Sequence, residues 1–424
     1  MQFPLQEFMA VSSANPWTYL VFGLIGFGFG FTLEMSGFGN SRKLAAQFYF
    51  TEMTVLKVMF TAIVTAMVLL FGAVSLGILN FNLVWVNETY LASGILGGLI
   101  MGVGFIVGGF CPTTSLASAS TGKIDGMLFM LGGFVGAFLF GETEKYFDHW
   151  YSTAGYFGRV TLDQVFGIPV GVVVLLVVLM ALFMFWGSEQ LERIVGKRDM
   201  SHEPKLRLVG AGLLAAAAVA VALIGTPTTE EKYDRVSFNR TVEEEQVAFS
   251  ADEMLSSRQA YIHPGELLKT MADDRLIASI VDVRSEADYN LFHIVNSINV
   301  PGADIKSVIP SLLADQTPNK VYIVVGNDEA AATEAWKILV AEAVPNAYIL
   351  EGGINNWIAV FGKDEDGITP LATTIMDTLQ YAFNAALGDR YGCANPSPLL
   401  EWEIEFEPKI QLQLKRDKSG GGCG

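Results

Sequence analysis

Charged residues are scarce in this chain of 424 amino acids. Only 17% of its residues are Asp, Glu, Lys or Arg, whereas soluble domains carry about a quarter. The shortage is concentrated in residues 16–225, and residues 228–424 read like an ordinary soluble protein. The composition therefore predicts a membrane domain followed by a soluble domain.

Cysteine, histidine and basic residues are also few, and each shortage excludes a class of protein. Three cysteines do not make a disulfide framework, and the four histidines show no spacing that suggests a metal site. The net charge of −17 argues against a nucleic acid as partner. No Gly-x-x-x-x-Gly-Lys-Ser/Thr loop occurs, which argues against direct use of ATP. The first fifteen residues lack Lys and Arg, so no secretory signal is expected. We expect no cofactor and no metal.

Long apolar runs, by contrast, are abundant, and about six of them are long enough, or nearly so, to cross a bilayer. Lys and Arg concentrate in the first, third and fifth connecting loops, which places those loops in the cytoplasm. Both termini and the soluble domain are then expected outside, which means the periplasm in a Gram-negative bacterium. The predicted spans are Pro16–Met35, Val58–Leu79, Leu91–Phe110, Ile124–Phe140, Val165–Trp186 and Leu206–Ile224.

Two glycine-rich segments form an internal repeat. "GLIGFGFGFTLEMSGFGN" begins at Gly23, and "GILGGLIMGVGFIVGGFCP" begins at Gly94. An offset of 72 residues aligns their glycines and also sets Gly39 on Cys111. A polar break follows each copy, as in transporters whose interrupted helices meet near the midplane. The alternative is two glycine-rich helices that only pack closely against their neighbours.

The second copy ends in "GGFCPTTS", which a simple membrane helix would not contain. Pro112 cannot continue a helix without losing a backbone hydrogen bond, so we expect the helix to break at Cys111. Broken backbone at membrane depth needs a polar cavity or protein around it. The expected lining of a substrate pathway is Gly109, Cys111, Pro112, Thr113, Thr114 and Ser115 from this copy, with Ser36, Gly39 and Asn40 from the first.

A thiol and several hydroxyl groups suit a sulfur-containing anion better than a sugar or a metal ion. The alternative is that Cys111 is only a packing residue. Glu34 is an acid inside a predicted span, and such acids usually have a function or a partner. Arg42 or Lys43 is the expected partner.

Together these residues resemble the YeeE/YedE family of bacterial membrane proteins, which take up thiosulfate or related sulfur compounds. The resemblance covers about residues 16–142. It implies a multi-pass protein that is embedded in the lipid bilayer of the bacterial cytoplasmic (inner) membrane. It also implies that the cargo passes Cys111 by weak sulfur–hydrogen contacts. The matching position in the first copy is Gly39, which has no thiol. Familiar single-chain members are roughly twice as long, so a pathway built by a homo-oligomer is an expectation.

The soluble half alternates strands such as "VYIVVG" with helical segments such as "DEAAATEAWKILVAEAV", which predicts an α/β parallel sheet. "VDVRSEADYNLFHIVNSINVP" and "ILEGGINNWIAVFG" resemble the start and end of a rhodanese-like domain. Active rhodaneses carry a nucleophilic cysteine after the central strand. Here the loop holds Val325, Gly326 and Asn327, followed by two acids. A persulfide needs a thiolate, so we predict a catalytically inactive domain that binds or organises.

The predicted fold is a polytopic α-helical membrane domain with about six spans and an internal repeat of broken helices, plus a C-terminal α/β rhodanese-like domain. The expected boundaries are a membrane domain 1–225, a polar linker 226–260 that could be a helical spacer, the rhodanese-like domain 261–365, and an extension 366–424. In the extension, 375–392 is expected to be helical and the stretch after 399 to form strands. The tail ends in a glycine-rich arm with Cys423, which could carry sulfur, pair with Cys393 in a disulfide, or be disordered.

These features favour membrane transport of thiosulfate or a related sulfur anion, with the soluble domain receiving or delivering the cargo. A membrane-anchored sulfurtransferase or sulfur carrier that uses Cys423 is the second hypothesis. A scaffold subunit of a sulfur-metabolising complex is the third. A separate sulfur-carrier protein is a further expected partner.

Overall fold

A computed structural model describes residues 16–84, 86–197, 206–242, 245–315, 317, 319–363, 365–372 and 375–412. They form two compact units, one made mainly of residues up to Thr226 and one made mainly of residues from Pro227 onward. The first is helical and the second is an α/β unit with a parallel sheet, as the sequence predicts.

Six helical stretches among the described residues are long and apolar enough to cross a membrane. They are Pro16–Met35, Thr54–Ser75, the pair Leu91–Gly108 and Pro112–Ser120, Ile124–Thr143, Val170–Ile194 and Leu206–Ile224. A two-stranded pair, β1 (Thr89–Tyr90) with β2 (Tyr156–Gly158), joins two of the connecting loops. The helices of this unit are α1 (Pro16–Met35), α2 (Ser41–Ala46), α3 (Thr54–Ser75), α4 (Leu91–Gly108), α5 (Pro112–Ser120), α6 (Ile124–Thr143), α7 (Asp148–Thr153), α8 (Leu162–Phe166), α9 (Val170–Ile194) and α10 (Leu206–Ile224).

The fifth span differs from its predicted bounds of Val165–Trp186. Gly167, in the left-handed region at φ 62°, and Pro169 separate the short helix α8 from α9. Helix α9 then continues past the last apolar run to Ile194. It packs with α3 and α10 through Val64, Val178 and Ala218, which are buried in one cluster.

The internal repeat appears as two equivalent helix–break–helix units. In the first, α1 is followed by a break at residues 36–40 and the short helix α2. In the second, α4 is followed by a break at residues 109–111 and the short helix α5. Gly37 and Gly109, which the 72-residue offset pairs, have φ values of 75° and 70°. The same local conformation at paired positions supports the repeat interpretation.

The α/β unit is built on five parallel strands in the order β5-β9-β8-β6-β7. Its two faces are covered by separate hydrophobic clusters, one around Trp336 and the other around Trp357, both fully buried. The sheet strands are β5 (Tyr261–Ile262), β6 (Ile277–Asp282), β7 (Ile298–Asn299), β8 (Lys320–Val325) and β9 (Ala347–Leu350). Helices α11 to α17 are Thr229–Tyr233, Ala251–Ser256, Pro264–Ala272, Glu286–Leu291, Ile305–Ala314, Ala330–Ala341 and Gly353–Phe361.

The segment 226–260, which could have been one helix, contains two short helices, Thr229–Tyr233 and Ala251–Ser256, with two strands between them. Strands β3 (Ser237–Val242) and β4 (Glu245–Ser250) form an antiparallel hairpin. Phe238 of this hairpin stacks on Trp336, with ring centroids 6.0 Å apart. Phe238 and Phe249 of the hairpin therefore pack against one hydrophobic cluster of the α/β core.

The predictions for the C-terminal extension also need correction. The expected helix at 375–392 is replaced by β11 (Tyr381–Phe383), which pairs with β10 (Ile368–Pro370). Phe383 of β11 stacks on the buried Phe292, so core packing outweighs the helical propensity of this segment. The expected strands after residue 399 are a 3₁₀ helix, Pro398–Glu403, followed by a chain without strand pairing up to residue 412. Cys423 lies outside the described residues.

Candidate functional site

The second break is set by a glycine and a proline in sequence. Helix α4 ends at Gly109, whose φ of 70° gives a left-handed cap and whose N–H donates to Phe105 O at 2.8 Å. Pro112 occupies the first turn of α5, where its missing N–H leaves no bond unmade. The expected break at Cys111 is therefore confirmed, and its two sides are defined by Gly109, which caps the first helix, and Pro112, which begins the next.

Cys111 lies between these two helices as the residue that caps α5. Its side chain is half-buried, and its Sγ is 3.3 Å from Thr114 Oγ1. The backbone N–H of Cys111 also donates to Thr114 Oγ1, at 3.0 Å, and Thr114 Oγ1 donates to Cys111 O at 3.1 Å. The buried threonine thus fixes the orientation of the residue that carries the thiol.

The other hydroxyl groups of α5 mainly satisfy the backbone. Ser115 is buried and donates to Pro112 O at 2.7 Å, and Ser120 donates to Ala117 O at 2.8 Å. Thr113 is half-buried. The hydroxyl protons of Thr114, Ser115 and Ser120 are therefore used locally, while their oxygens keep accepting capacity.

The first break presents glycines and cations in place of a thiol. Ser36 extends the α1 pattern by donating from its hydroxyl to Thr32 O at 2.8 Å. Asn40 caps α2, since its Oδ1 accepts the N–H of Arg42 at 3.1 Å. Lys43 Nζ donates to Ser36 O at 2.9 Å and so folds back across the break.

The two breaks contact each other directly. Ser118 Oγ, fully buried on α5, donates to Gly39 O at 3.1 Å. A Cβ added to Gly109 would lie 3.0 Å from Ser41 O. Phe38 and Phe110, which the 72-residue offset pairs, are both buried in one cluster with Leu44. The fold therefore brings the two predicted breaks into contact at Gly39 and Gly109.

The helix caps give a better match between the copies than the 72-residue offset does. Asn40 caps α2 and Cys111 caps α5, so these two residues are structurally equivalent. Gly39 is an additional residue in the first break, which has one residue more than the second between its glycine turn and its cap. The first copy thus places an amide where the second places a thiol.

Glu34 has a different partner from the one expected. Its Oε1 lies 3.3 Å from Nζ of Lys123, the residue that precedes α6 in the second copy. Arg42 and Lys43 follow α1 closely in sequence, but the crossing of the two copies brings Lys123 to Glu34. No spacing pattern predicts this pair, because 89 residues of sequence separate its members.

Glycines near the breaks have other atoms packed against them, whereas the other glycines on the same helices have empty space where a Cβ would lie. A Cβ at Gly108 would lie 2.3 Å from the Phe129 ring, and one at Gly126 would lie 2.5 Å from Ser118 Cβ. By contrast, a Cβ at any of the following would meet nothing within 4 Å: Gly23, Gly26, Gly28, Gly30, Gly94, Gly97, Gly98, Gly102, Gly104, Gly132, Gly133, Gly136 and Gly141. The breaks thus form the packed centre of this part of the unit.

A second acidic residue of the membrane unit, Glu192, lies in a buried ion pair that the sequence does not predict. Glu192 is fully buried near the end of α9, and it accepts from Met53 N at 2.6 Å and from Lys57 Nζ at 2.5 Å. Lys57 also lines a groove of about 540 Å³ on α3, together with Thr61 and Thr65. The apolar run of the fifth span stops before Glu192, so only the lengthening of α9 reveals this ion pair.

In the α/β unit, the loop after β8 is closed by backbone contacts. Gly326 O accepts from Ile354 N at 2.9 Å, and Asn327 O accepts from Asn355 N at 3.1 Å. A Cβ at Gly353 would lie 2.6 Å from Gly326 O, which explains the glycine at φ 59°. Val325 is buried as the last residue of β8.

A short covering segment, residues 375–380, lies over this loop. Asp377 N donates to Asp328 Oδ2 at 2.5 Å, and Asn355 Nδ2 donates to Thr378 O at 2.9 Å. Asn327, which is buried, donates to Asp288 Oδ2 at 3.4 Å. Burial, followed by the neighbouring Asp328 and Asp288, raises the pKa of Asp377. The loop is thus surrounded by carboxyl groups that disfavour a bound anion.

Cys393 lies in the same unit, away from this loop. It is buried, and the N–H groups of Gly392 and Cys393 donate to Glu365 at 2.9 and 2.8 Å. Burial, with a smaller effect of Glu365, raises the pKa of the Cys393 thiol to about 12. This thiol therefore stays protonated at neutral pH and is a poor nucleophile.

Comparison with protein families gives two matches. A family model described as Sulphur transport matches residues 35–249, just over half of the chain. The chain belongs to the Sulphur transport family. A second model, the Rhodanese-like domain, matches residues 263–360. This member of the Sulphur transport family therefore combines a membrane unit for sulfur-related transport with a rhodanese-like domain, as the sequence predicts.

One curated relative resembles part of this Sulphur transport family member. An uncharacterized protein of Buchnera aphidicola subsp. Baizongia pistaciae (strain Bp) is 29% identical over 114 residues, which make up 27% of this chain and 76% of that protein. No solved structure matches the chain.

Proposed function

We propose that this protein moves thiosulfate or a related sulfur anion across a bacterial cytoplasmic membrane along a pathway past Cys111. The observation that carries this proposal is the direct contact of the two breaks, in which Ser118 of one copy holds Gly39 of the other. Interrupted helices that meet in this way form substrate sites in other transporters. The pathway would include Gly109, Cys111, Pro112, Thr113, Thr114 and Ser115, with Ser36, Gly39 and Asn40.

The chemistry of the second break suits such an anion. The half-buried thiol of Cys111 is polarisable and donates only weak hydrogen bonds, so it can contact a sulfur anion without holding it tightly. A transported ion must bind well enough to enter and weakly enough to leave. Thr114 supports this role because it fixes the backbone that carries the thiol.

The rhodanese-like domain binds or delivers cargo in this proposal without catalysing sulfur transfer. Its loop carries Val325, Gly326 and Asn327 where a nucleophilic cysteine would be needed. Three nearby carboxyl groups, of Asp288, Asp328 and Asp377, would oppose an anionic donor at that loop. The positive-inside pattern of the loops supports an extracytoplasmic position for this domain.

Self-association is part of the proposal. The open glycines of α1, α4 and α6 leave faces on which another helix can approach closely. A second copy of the chain would supply such helices and would enclose a pathway that one copy leaves open. Crosslinking between cysteines introduced at Gly26 and at Gly98 in a background with Cys111→Ser and Cys423→Ser, where the buried Cys393 is inert, would detect this contact.

The hypothesis of a sulfur carrier or sulfurtransferase depends on Cys423, because the thiol of Cys393 is buried and protonated. Thiocyanate formation from thiosulfate and cyanide that disappears in Cys423→Ser would support it. The scaffold hypothesis predicts stable co-purification with other subunits and no transport in vesicles.

The decisive experiment measures uptake of labelled thiosulfate into membrane vesicles. Cys111→Ala should abolish uptake, whereas Cys393→Ala, which removes the buried thiol, should leave it close to the wild-type rate. Equal amounts of inserted protein must be verified in each case. Uptake by Cys111→Ala at the wild-type rate would refute the role of this thiol. Accessibility of a C-terminal tag from outside intact cells tests the orientation.

A further inference from the structure

Two lysines, one from each copy of the repeat, reach the first break. Lys43 follows the break in sequence and donates from Nζ to Ser36 O at 2.9 Å. Lys123 comes from the second copy, and its Nζ is 3.3 Å from Glu34 Oε1. Both ammonium groups therefore lie beside residues 36–39, although 80 residues of sequence separate them.

Glycine is what allows the ammonium groups to come so close to the backbone. A Cβ at Gly37 would lie 3.1 Å from Lys43 Nζ, and a Cβ at Gly39 would lie 2.6 Å from Lys123 Nζ and 2.8 Å from Glu34 Oε2. Both distances at Gly39 are shorter than the contacts that real Cβ atoms make. The extra residue in the first break, Gly39, thus provides the space in which the Glu34–Lys123 pair forms.

The Glu34–Lys123 pair is placed where it can be exchanged. Its side chains keep 47% and 42% of their exposure, and ion pairs of this kind contribute little to stability. The Lys57–Glu192 pair of the same unit is different, because Glu192 is fully buried and the two atoms are 2.5 Å apart. Lys43 donates to a neutral carbonyl in its contact with Ser36, so that contact leaves its charge uncancelled.

We propose that Lys123 and Lys43 form an anion-capture site at the first break, at which a divalent sulfur oxyanion displaces Glu34 from Lys123. The inference rests on the proposed transport function and adds the residues that select for charge. The two copies would then have separate tasks. The first break attracts the anion by charge-assisted hydrogen bonds, and the second passes it over the soft thiol of Cys111. Glu34 keeps Lys123 neutralised when the site is empty.

The proposal predicts opposite effects for the two members of the ion pair. Lys123→Gln and Lys43→Gln should each raise the KM for thiosulfate uptake by about tenfold, the loss expected for one charge-assisted hydrogen bond. Glu34→Gln removes the competing carboxylate and should lower the KM. Lys145→Gln is the matched control, because it removes a cation beyond the other end of α6, where Lys145 contacts the Tyr146 ring.

A purely structural pair would behave differently. Glu34→Gln would then impair uptake as Lys123→Gln does, and the charge-exchanged protein Glu34→Lys with Lys123→Glu would recover it. Either result would overturn the capture site. A lysine needed only for topology would instead show reduced insertion or an inverted tag in Lys123→Gln, which would also overturn it.

The failure of this inference can be told apart from the failure of the transport function. If the wild-type protein transports thiosulfate and Cys111→Ala does not, but Lys123→Gln and Lys43→Gln keep the wild-type KM, only the capture site is refuted. If wild-type vesicles show no uptake, the transport function fails first, and direct binding of thiosulfate to the purified protein then decides the capture site. Equal affinity of the wild type and Lys123→Gln in that measurement would refute it.

Discussion

The hydroxyl of Ser118 donates to the carbonyl oxygen of Gly39 at 3.1 Å, and this hydrogen bond joins the two copies of the repeat across 79 residues of sequence. Ser118 is fully buried. Ser118→Ala would leave the Gly39 carbonyl without this donor and should lower the free energy of unfolding by roughly 1–3 kcal/mol. Thermal unfolding of the purified protein in detergent measures the loss.

Ser120→Ala is the matched control for this change. Ser120 is exposed on the same helix and donates only to Ala117 O, within its own turn. Its loss should alter stability by less than about 0.5 kcal/mol, the usual effect of a surface substitution. Equal losses in the two variants would mean that the contact between the copies contributes nothing specific.

Gly109 and Gly102 make a second pair of matched positions on α4. Gly109 has a φ of 70°, and a Cβ there would press on Ser41 O, so Gly109→Ala should cost roughly 1–3 kcal/mol. Gly102 lies inside the helix with open space around it, and Gly102→Ala should be neutral or stabilise by up to about 1 kcal/mol. Melting temperatures that fall equally for both would argue against a left-handed cap at Gly109.

The buried ion pair of Lys57 and Glu192 should matter more than an exposed one on the same helix. Lys57→Met removes the cation that lies 2.5 Å from the fully buried Glu192 carboxylate, at a cost of roughly 3–5 kcal/mol. Arg207→Met removes the cation of the more exposed Arg207–Glu189 pair and should cost less than about 1 kcal/mol. Thermal unfolding of both variants provides the comparison.

Replacing both members of this ion pair by apolar residues is a second test of its contribution to stability. The double variant Lys57→Met with Glu192→Leu removes both members of this ion pair and should be more stable than Lys57→Met alone. A double variant that is less stable than the single one would show that the Glu192 contact with Met53 N, and not the ion pair, dominates.

The elements of this protein could be predicted where hydrophobic pattern decides them. The first and sixth spans end where the sequence predicts, at Met35 and Ile224, because the apolar runs end where the helices do. The run ending at Trp186 did not fix the end of α9. Glu192 continues that helix because Lys57 and Met53 satisfy its carboxylate, and sequence alone cannot show such distant partners.

The candidate site shows the same division. The glycines and Pro112 predicted that the helices break, since these residues have strong local preferences. Which residue ends each helix depended on the left-handed conformation of Gly37 and Gly109. The pairing of Glu34 with Lys123 depended on how the two copies cross, and the nearer cations in sequence were the wrong choice.

The tail of the rhodanese-like domain was predicted least well, because its conformation is set by contacts with the core. The segment after residue 403 has no strand partner among the described residues, yet Lys409 N and Ile410 N both donate to Glu266, at 2.7 and 2.8 Å. A tail that docks by backbone donors onto one buried carboxyl group leaves no periodic pattern in the sequence.

Glu266 should make the stability of the rhodanese-like domain depend on pH. Burial raises the pKa of this carboxyl group, although the two backbone donors partly oppose the effect. The protonated Glu266 side chain therefore contributes its full stabilisation below the ordinary carboxyl pKa. This contribution is lost as the pH rises through the raised pKa that Glu266 has in the folded protein. Glu266→Gln cannot ionise, so its melting temperature relative to wild type should increase between pH 4.5 and 7.5. Glu253→Gln is the control, because hydrogen bonds from Ser250 lower the pKa of Glu253, so its difference from wild type changes only near the ordinary carboxyl pKa and is constant from there up to pH 7.5. A constant difference for Glu266→Gln as well would mean that the buried carboxyl group keeps an ordinary pKa.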